Sequence, residues 1–194
     1  MKQILEYFSK EKISSMPIDE YLSNKIVQTK IKATNETIHK IVKDELDRLG
    51  HDADLNHIDV SEVTNMESLF NTCDGNATLE NGYDDLNPDI SKWNVSNVEN
   101  MQMMFKGCEI FNRDLSQWNV SNVKDTGFMF YNCENFNQDL SKWDVRNVED
   151  MRFMFSKCKK FNKDISKWDV SNVKIYYYMF YECPIKQKFK PKFK

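Results

Sequence analysis

One phrase, repeated down most of the chain, constrains what this sequence can fold into more than any other feature. It is clearest as DLSKWDVRNVEDMRFMFSKC, Asp139 to Cys158. Tryptophans stand at Trp93, Trp118, Trp143 and Trp168, 25 residues apart. Cys108, Cys133, Cys158 and Cys183 keep that step, as do the Met-Phe pairs that begin at Met104, Met129, Met154 and Met179. A fixed period of this size marks a stacked repeat architecture. One unit cannot bury its own apolar face, so successive units must cover one another.

Positions that stay apolar in every regular unit must face the inside of the stack. They are Leu140, Trp143, Val145, Val148, Met154, Phe155 and Cys158, with their equivalents 25 residues away. Phe111, Phe136 and Phe161 join them. Trp-x-Val alternates with period two and predicts a short strand, paired in parallel with the same strand of the next rung. Val-x-x-Met-x-x-Met-Phe-x-x-Cys is nearer helical spacing and predicts a short helix or 3₁₀ turn. Asn97, Asn122, Asn147 and Asn172 recur as a polar column that satisfies turn backbone groups, and Asp89, Asp114, Asp139 and Asp164 recur as turn caps.

The ends of the array differ from its middle. Residues 1–54 read as a helical region and cap: a short helix in Met1–Lys12, a second after Pro17, and an amphipathic helix over Thr34–Gly50. The last carries Ile38, Ile41, Val42, Leu46 and Leu49, with Thr34 or Asn35 as its N-cap and Gly50 as its stop. It is placed to cover the open end of the first rung. That rung is degenerate: Ile58 stands where Trp93 stands in the next, and about ten extra residues make a surface loop at about 74–88. The repeat array spans 55–183, and 184–194 form a basic tail that leaves the other end.

The recurring FNQDLSKWDVRNVEDMRFMFSKC resembles the repeat of the BspA-like leucine-rich-repeat family, the mycoplasma-type surface-protein repeat. The resemblance covers about residues 55–183 and departs from the phrase at Thr126, Arg146 and Tyr176. It implies a leucine-rich-repeat-like solenoid with α/β character, about five rungs with short parallel strands and short helical turns. It also implies protein binding or surface attachment.

Other function classes find little support. A net charge of −3 offers no general attraction to nucleic acid. No apolar run reaches the ~20 residues of a membrane span, and the N-terminal residues lack a secretory pattern, so a cytoplasmic location is expected, with cell surface or secretion as the alternative. The five cysteines lie one per rung without a Cys-x-x-Cys pair, which reads as a column of buried thiols rather than a metal or disulfide site. The aspartates lack the Gly-rich phrases of calcium repeats. His39, His51 and His57 lie in the cap and first rung, away from any repeated nucleophile. An enzyme would require them to converge with Asp84 and Asp85; no catalytic residue, metal or cofactor is expected.

The candidate site is instead the variable column that precedes each Met-Phe pair: Met103, Phe128, Phe153 and Tyr178. Three successive apolar residues cannot all turn inward in one short turn, so this column is expected to be at least half exposed. Beside it lie Arg152 and Tyr177, and further along Tyr131 and Tyr181. An exposed aromatic stripe with an arginine in it is the composition of a protein-binding surface. The expected partner is a protein, and a short stack also permits self-association, end to end or side by side.

Overall fold

The computed structural model describes residues 30–73 and 85–193. The helices expected in 1–12 and after Pro17, Asp84 and most of the expected loop lie outside those residues.

The path of each repeat is set by carboxylates and amides that bend the backbone. Asp89, Asp114, Asp139 and Asp164 each accept a hydrogen bond from the N–H two residues on, at Ser91, Ser116, Ser141 and Ser166. Asn94, Asn119, Asp144 and Asp169 do the same after each tryptophan. Asn100, Asp125 and Asp150 make a third such bend, to Gln102, Gly127 and Arg152. These are Asx turns, in which the side chain imitates a backbone carbonyl. With a bend at both ends of Trp-x-Val, that segment does not form the expected strand; Val95 O instead accepts from Val98 N in a turn at 3.0 Å.

Parallel pairing between successive units runs elsewhere, through Asn65, Asn100, Asp125, Asp150 and Ile175. It continues into the Met-Phe segment, where a helical turn was expected. The N–H groups of Met101, Met103, Phe105 and Gly107 donate to the carbonyls of Asp125, Gly127, Met129 and Tyr131 in the next unit, at 2.8–2.9 Å. The N–H groups between them close tight turns: Met104 donates to Met101 O, Lys106 to Met103 O and Cys108 to Phe105 O. Alternate residues thus bind forward and alternate residues bind locally.

This alternation requires left-handed backbone. Met103, Phe128, Phe153 and Tyr178 have φ of 56°, 58°, 54° and 55°. Gly107, Asn132, Lys157 and Glu182 follow at 84°, 60°, 62° and 55°. Each sits third in its turn, the place a type II turn reserves for Gly or Asn. At Gly107 the absence of a side chain matters twice, because a Cβ there would stand 2.2 Å from Cys73 Sγ.

The core is a set of columns. Phe70, Phe105, Phe130, Phe155 and Phe180 stack face to face with centroids 5.4, 5.5, 5.6 and 5.9 Å apart. Phe111, Phe136 and Phe161 form a second stack at 6.1 and 6.0 Å. The buried tryptophans send Nε1–H to the carbonyls of Leu55, Ile90, Leu115 and Leu140. Cys108, Cys133 and Cys158 point Sγ at the carbonyls of Phe70, Phe105 and Phe130, each at 3.0 Å. Burial raises the pKa of these three thiols and pushes Cys183 up to about 11, so all are poor nucleophiles. The asparagine column spans units as expected: Asn97, Asn122, Asn147 and Asn172 donate to the carbonyls of Ser61, Ser96, Ser121 and Arg146.

At the N-terminal end, strand β1 (Ile31–Lys32) pairs in parallel with β2 (Ile58–Asp59). Helix α1 (Ile38–Leu49) buries Ile38, Val42 and Leu46 against the first unit, while Ile41 is half-buried and Leu49 exposed. Glu45 lies beneath the helix, 2.8 Å from His57 Nε2 and bound to Arg48, which lowers its pKa. Asn35 does not cap this helix. Its Oδ1 accepts from the N–H groups of Thr64 and Asn65 at 2.9 and 3.1 Å. In every later unit the equivalent pair of N–H groups donates to one carbonyl of the unit before, as Glu99 and Asn100 do to Thr64 O. Asn35 supplies that oxygen at the first unit.

The tail does not leave the C-terminal end but folds back on it. Ile185 and Pro191 are buried, Phe189 O accepts from Ile165 N at 3.0 Å, and Phe193 stacks on Tyr176 at 4.1 Å. Asn162 Oδ1 accepts from Lys186 N, repeating the contact that Asn137 makes to Asn162 one unit earlier. The lysines stay at the surface because their neighbours Ile185, Phe189, Pro191 and Phe193 carry the packing.

Candidate functional site

The left-handed turn residues form a second, outer ladder of rings. At φ near 55° the side chain is turned out of the core while its neighbours, Met129-Phe130 and Met154-Phe155, are turned in. Phe128 and Phe153 stack at 4.6 Å and 14°, and Phe153 and Tyr178 at 5.2 Å and 27°. Phe128 and Phe153 are half-buried, whereas Tyr178 is 60 % exposed. Met103 occupies the same position one unit earlier and is half-buried. The column read from the repeat is brought together, ring on ring from Phe128 to Tyr178, but only Tyr178 reaches the expected half exposure. Met103, Phe128 and Phe153 fall short of it, and the stacked neighbouring rings cover Phe128 and Phe153.

Its neighbours frame it edge-on. Tyr131 meets Phe128 at 5.8 Å and Phe153 at 6.3 Å; Tyr177 stands perpendicular to Phe153 at 5.5 Å, and Tyr181 perpendicular to Tyr178 at 5.9 Å. Edge-to-face packing aligns the positive ring edge with the negative ring face. Tyr177 and Tyr181 are about half exposed, at 51 % and 48 %. Arg152 is half-buried with Nε 3.0 Å from Asp150 Oδ2, and the Tyr177 side chain followed by the Asp150 charge raises its pKa against the effect of burial.

Two cations complete the face: Lys106, which the period places in line with Tyr131 and Tyr181, and Lys157, which the sequence does not single out. Lys106 Nζ lies 5.9 Å from the Phe128 ring and 6.0 Å from Tyr131; Lys157 Nζ lies 5.4 Å from Tyr131. Lys106 was legible as the first member of the Tyr131, Ser156 and Tyr181 column, since each stands one period from the next. Lys157 shares the left-handed column of Gly107 and Asn132, and nothing in its type announces that. Ser156 is fully buried, and its hydroxyl has no hydrogen-bond partner among the described residues. Beside the ladder, Asp125 is partly buried and its carboxyl pKa is raised, first by burial and then by the charge of Asp150.

The histidines do not meet. His51 pairs with Asp85, His57 with Glu45, and His39 with the Glu67 carbonyl. Among the described residues no three His, Cys, Asp or Glu side chains gather as a metal site, and no helix is long and apolar enough to cross a membrane.

A family model described as Mycoplasma protein of unknown function, DUF285, matches residues 40–139 and 76–192. The chain belongs to the DUF285 family. No curated protein and no solved structure matches it. The two matches overlap across the second and third units, as two placements of one repeating pattern on a longer repeat array would. Both aromatic ladders of this DUF285 protein lie within the matched residues.

Proposed function

We propose that this DUF285 protein is a non-enzymatic protein-binding module, a leucine-rich-repeat-like solenoid of the BspA-like kind that binds through its outer ladder. One observation carries the reading. Bulky aromatic residues occupy backbone positions at φ of 54–58° in three consecutive units. A non-glycine residue there costs about 1–2 kcal/mol, which Gly or Asn would largely avoid. Strain of this kind concentrates at binding sites, where the surroundings hold it in place. The rings it turns outward are stacked, partly exposed and flanked by cations, the make-up of a binding hot spot rather than of a core.

The test compares wild type with a Phe128→Ser/Phe153→Ser/Tyr178→Ser variant in affinity capture from native lysate, after circular dichroism establishes that both are folded. A partner retained by wild type and lost by the variant supports the ladder as the binding face. Equal capture by both sinks it. The mycoplasma description of the family favours a second reading, a surface or host-interaction protein using the same face. Surface labelling of intact cells separates that placement from a cytoplasmic one.

A further inference from the structure

The last unit ends the array with an open edge of unusual polarity. In earlier units the N–H groups of the Met-Phe segment bind the carbonyls of the unit that follows. Tyr176, Tyr178, Phe180 and Glu182 hold those positions in the last unit, and among the described residues their N–H groups have no carbonyl partner. The carbonyls of Tyr176, Tyr178 and Phe180 are already used, accepting from Met179, Tyr181 and Cys183 at 3.1–3.2 Å. The third Asx bend is also missing, because Ile175 replaces the Asn or Asp that would accept from Tyr177 N. Along 176–182 the edge therefore presents donors with no matching acceptors. An open carbonyl, that of Lys174, lies just before this stretch; it is equivalent to Thr64 O and Glu149 O and accepts from no backbone N–H among the described residues.

Above it lies an open cavity of about 1100 Å³. One wall is Tyr176, Tyr178 and Phe180; the other is the folded-back tail with Lys188, Lys190 and Lys192. Lys190 Nζ stands 5.3 Å from the Phe180 ring, and Lys188 and Lys192 are exposed. Among the described residues the tail forms the wall without pairing with the edge, since its backbone bond into the array goes to Ile165.

We infer that this edge binds an extended acidic peptide segment, which adds to the last unit as a further unit would. Its alternate main-chain carbonyls accept from Tyr176, Tyr178, Phe180 and Glu182, the mode of recognition by strand addition. Its carboxylates meet Lys188 and Lys192. A second copy in two-fold symmetry does not fit, because each copy would bring donors to donors. The surface meets the outer ladder at Tyr178, whose ring serves one and whose N–H serves the other, and at Tyr181, which frames the ladder and also lines the cavity.

The probe is a fluorescein-labelled octapeptide alternating Glu and Val, titrated against the full chain by fluorescence anisotropy. Hydrogen–deuterium exchange is followed over the segment 175–183. The expected result is saturable binding that slows exchange there, weakened at least tenfold in Lys188→Glu/Lys192→Glu. The charge-matched Lys92→Glu/Lys142→Glu, on distant exposed lysines, weakens it less than threefold. Binding without slowed exchange, or equal competition by tripolyphosphate, means a diffuse charge effect and overturns the inference. Slowed exchange that depends on protein concentration without peptide assigns the edge to another copy and overturns it too. No binding of the Glu-Val peptide, or equal binding of a Lys-Val peptide, also overturns it. None of these outcomes bears on Phe128 or Phe153, so the outer ladder stands or falls separately.

Discussion

The inner and outer aromatic ladders share one period and one chain, yet they obey different physics. The inner rings stand 5.4–5.9 Å apart, close to the step between units, and their planes are nearly parallel. They lie on ordinary backbone and, save for the half-buried Phe180 at the end, out of water. The outer rings lean closer, to 4.6 and 5.2 Å, on left-handed backbone and partly in water. Repetition alone therefore does not explain a stack of rings. The inner stack holds the units together through burial, and the outer one is held up by a backbone that would be easier without it.

The largest expected effect breaks the inner ladder. Phe130 touches Phe105, Phe136 and Phe155 and is fully buried, so Phe130→Ala is expected to lose about 3–5 kcal/mol. Urea unfolding measures it; a loss below about 1 kcal/mol would mean that the columns are not the source of stability. Between the ladders, Ser156→Ala removes a buried hydroxyl without a hydrogen-bond partner and is expected to stabilise by about 1 kcal/mol. A destabilised variant would show that the hydroxyl is bonded in solution.

Asp125 gives a smaller effect that depends on pH. Burial raises its carboxyl pKa, so the folded chain holds that proton more tightly than the unfolded chain. Stability linked to this group is complete below the unfolded value and is lost as pH rises through the folded one. Asp125→Asn is therefore expected to gain about 0.5 kcal/mol at pH 7 and nothing at pH 3, with Asn100 showing that Asn makes the same bend. The turn-capping Asp89, Asp139 and Asp164 have the opposite sign. Their pKa values are lowered, mainly by the Ser91, Ser141 and Ser166 N–H groups, so what they contribute is present at neutral pH and lost in acid. Thermal unfolding from pH 3 to 7 reads both.

The smallest stability change falls on the outer ladder, where it says the most. Phe153→Gly relieves about 1 kcal/mol of left-handed strain and forfeits about as much ring stacking. The expected net is within about 0.5 kcal/mol of zero, with partner capture lost. A large destabilisation would make the outer ladder a second core.

The period made equivalence legible long before geometry. Residues that are alike every 25 positions must occupy like places, and so the inner columns, the asparagine column and the neighbourhood of Phe128, Phe153 and Tyr178 could be read directly. The path within one unit could not. Trp-x-Val has strand chemistry, but Asx turns at both of its ends bend it away, and the pairing moves to a segment whose spacing looked helical. Nothing in Phe or Tyr announces left-handed backbone, since that conformation is forced on them by alternate bonds to the next unit. The tail was hidden by its lysines, which obscured the Ile185, Phe189, Pro191 and Phe193 positions that pack it down.

Asn35 has a consequence for how such a molecule can change in size. Its single amide oxygen stands in for a whole preceding unit, and the groups it satisfies, Thr64 N and Asn65 N, are the same ones every later unit presents. The lid therefore recognises a generic docking pattern rather than one particular neighbour. At the far end, Asn162 meets the tail as Asn137 meets Asn162. With these two contacts written in the common grammar of the interior, the gene can gain or drop one complete interior phrase, and so lengthen or shorten its reach, without changing either of them.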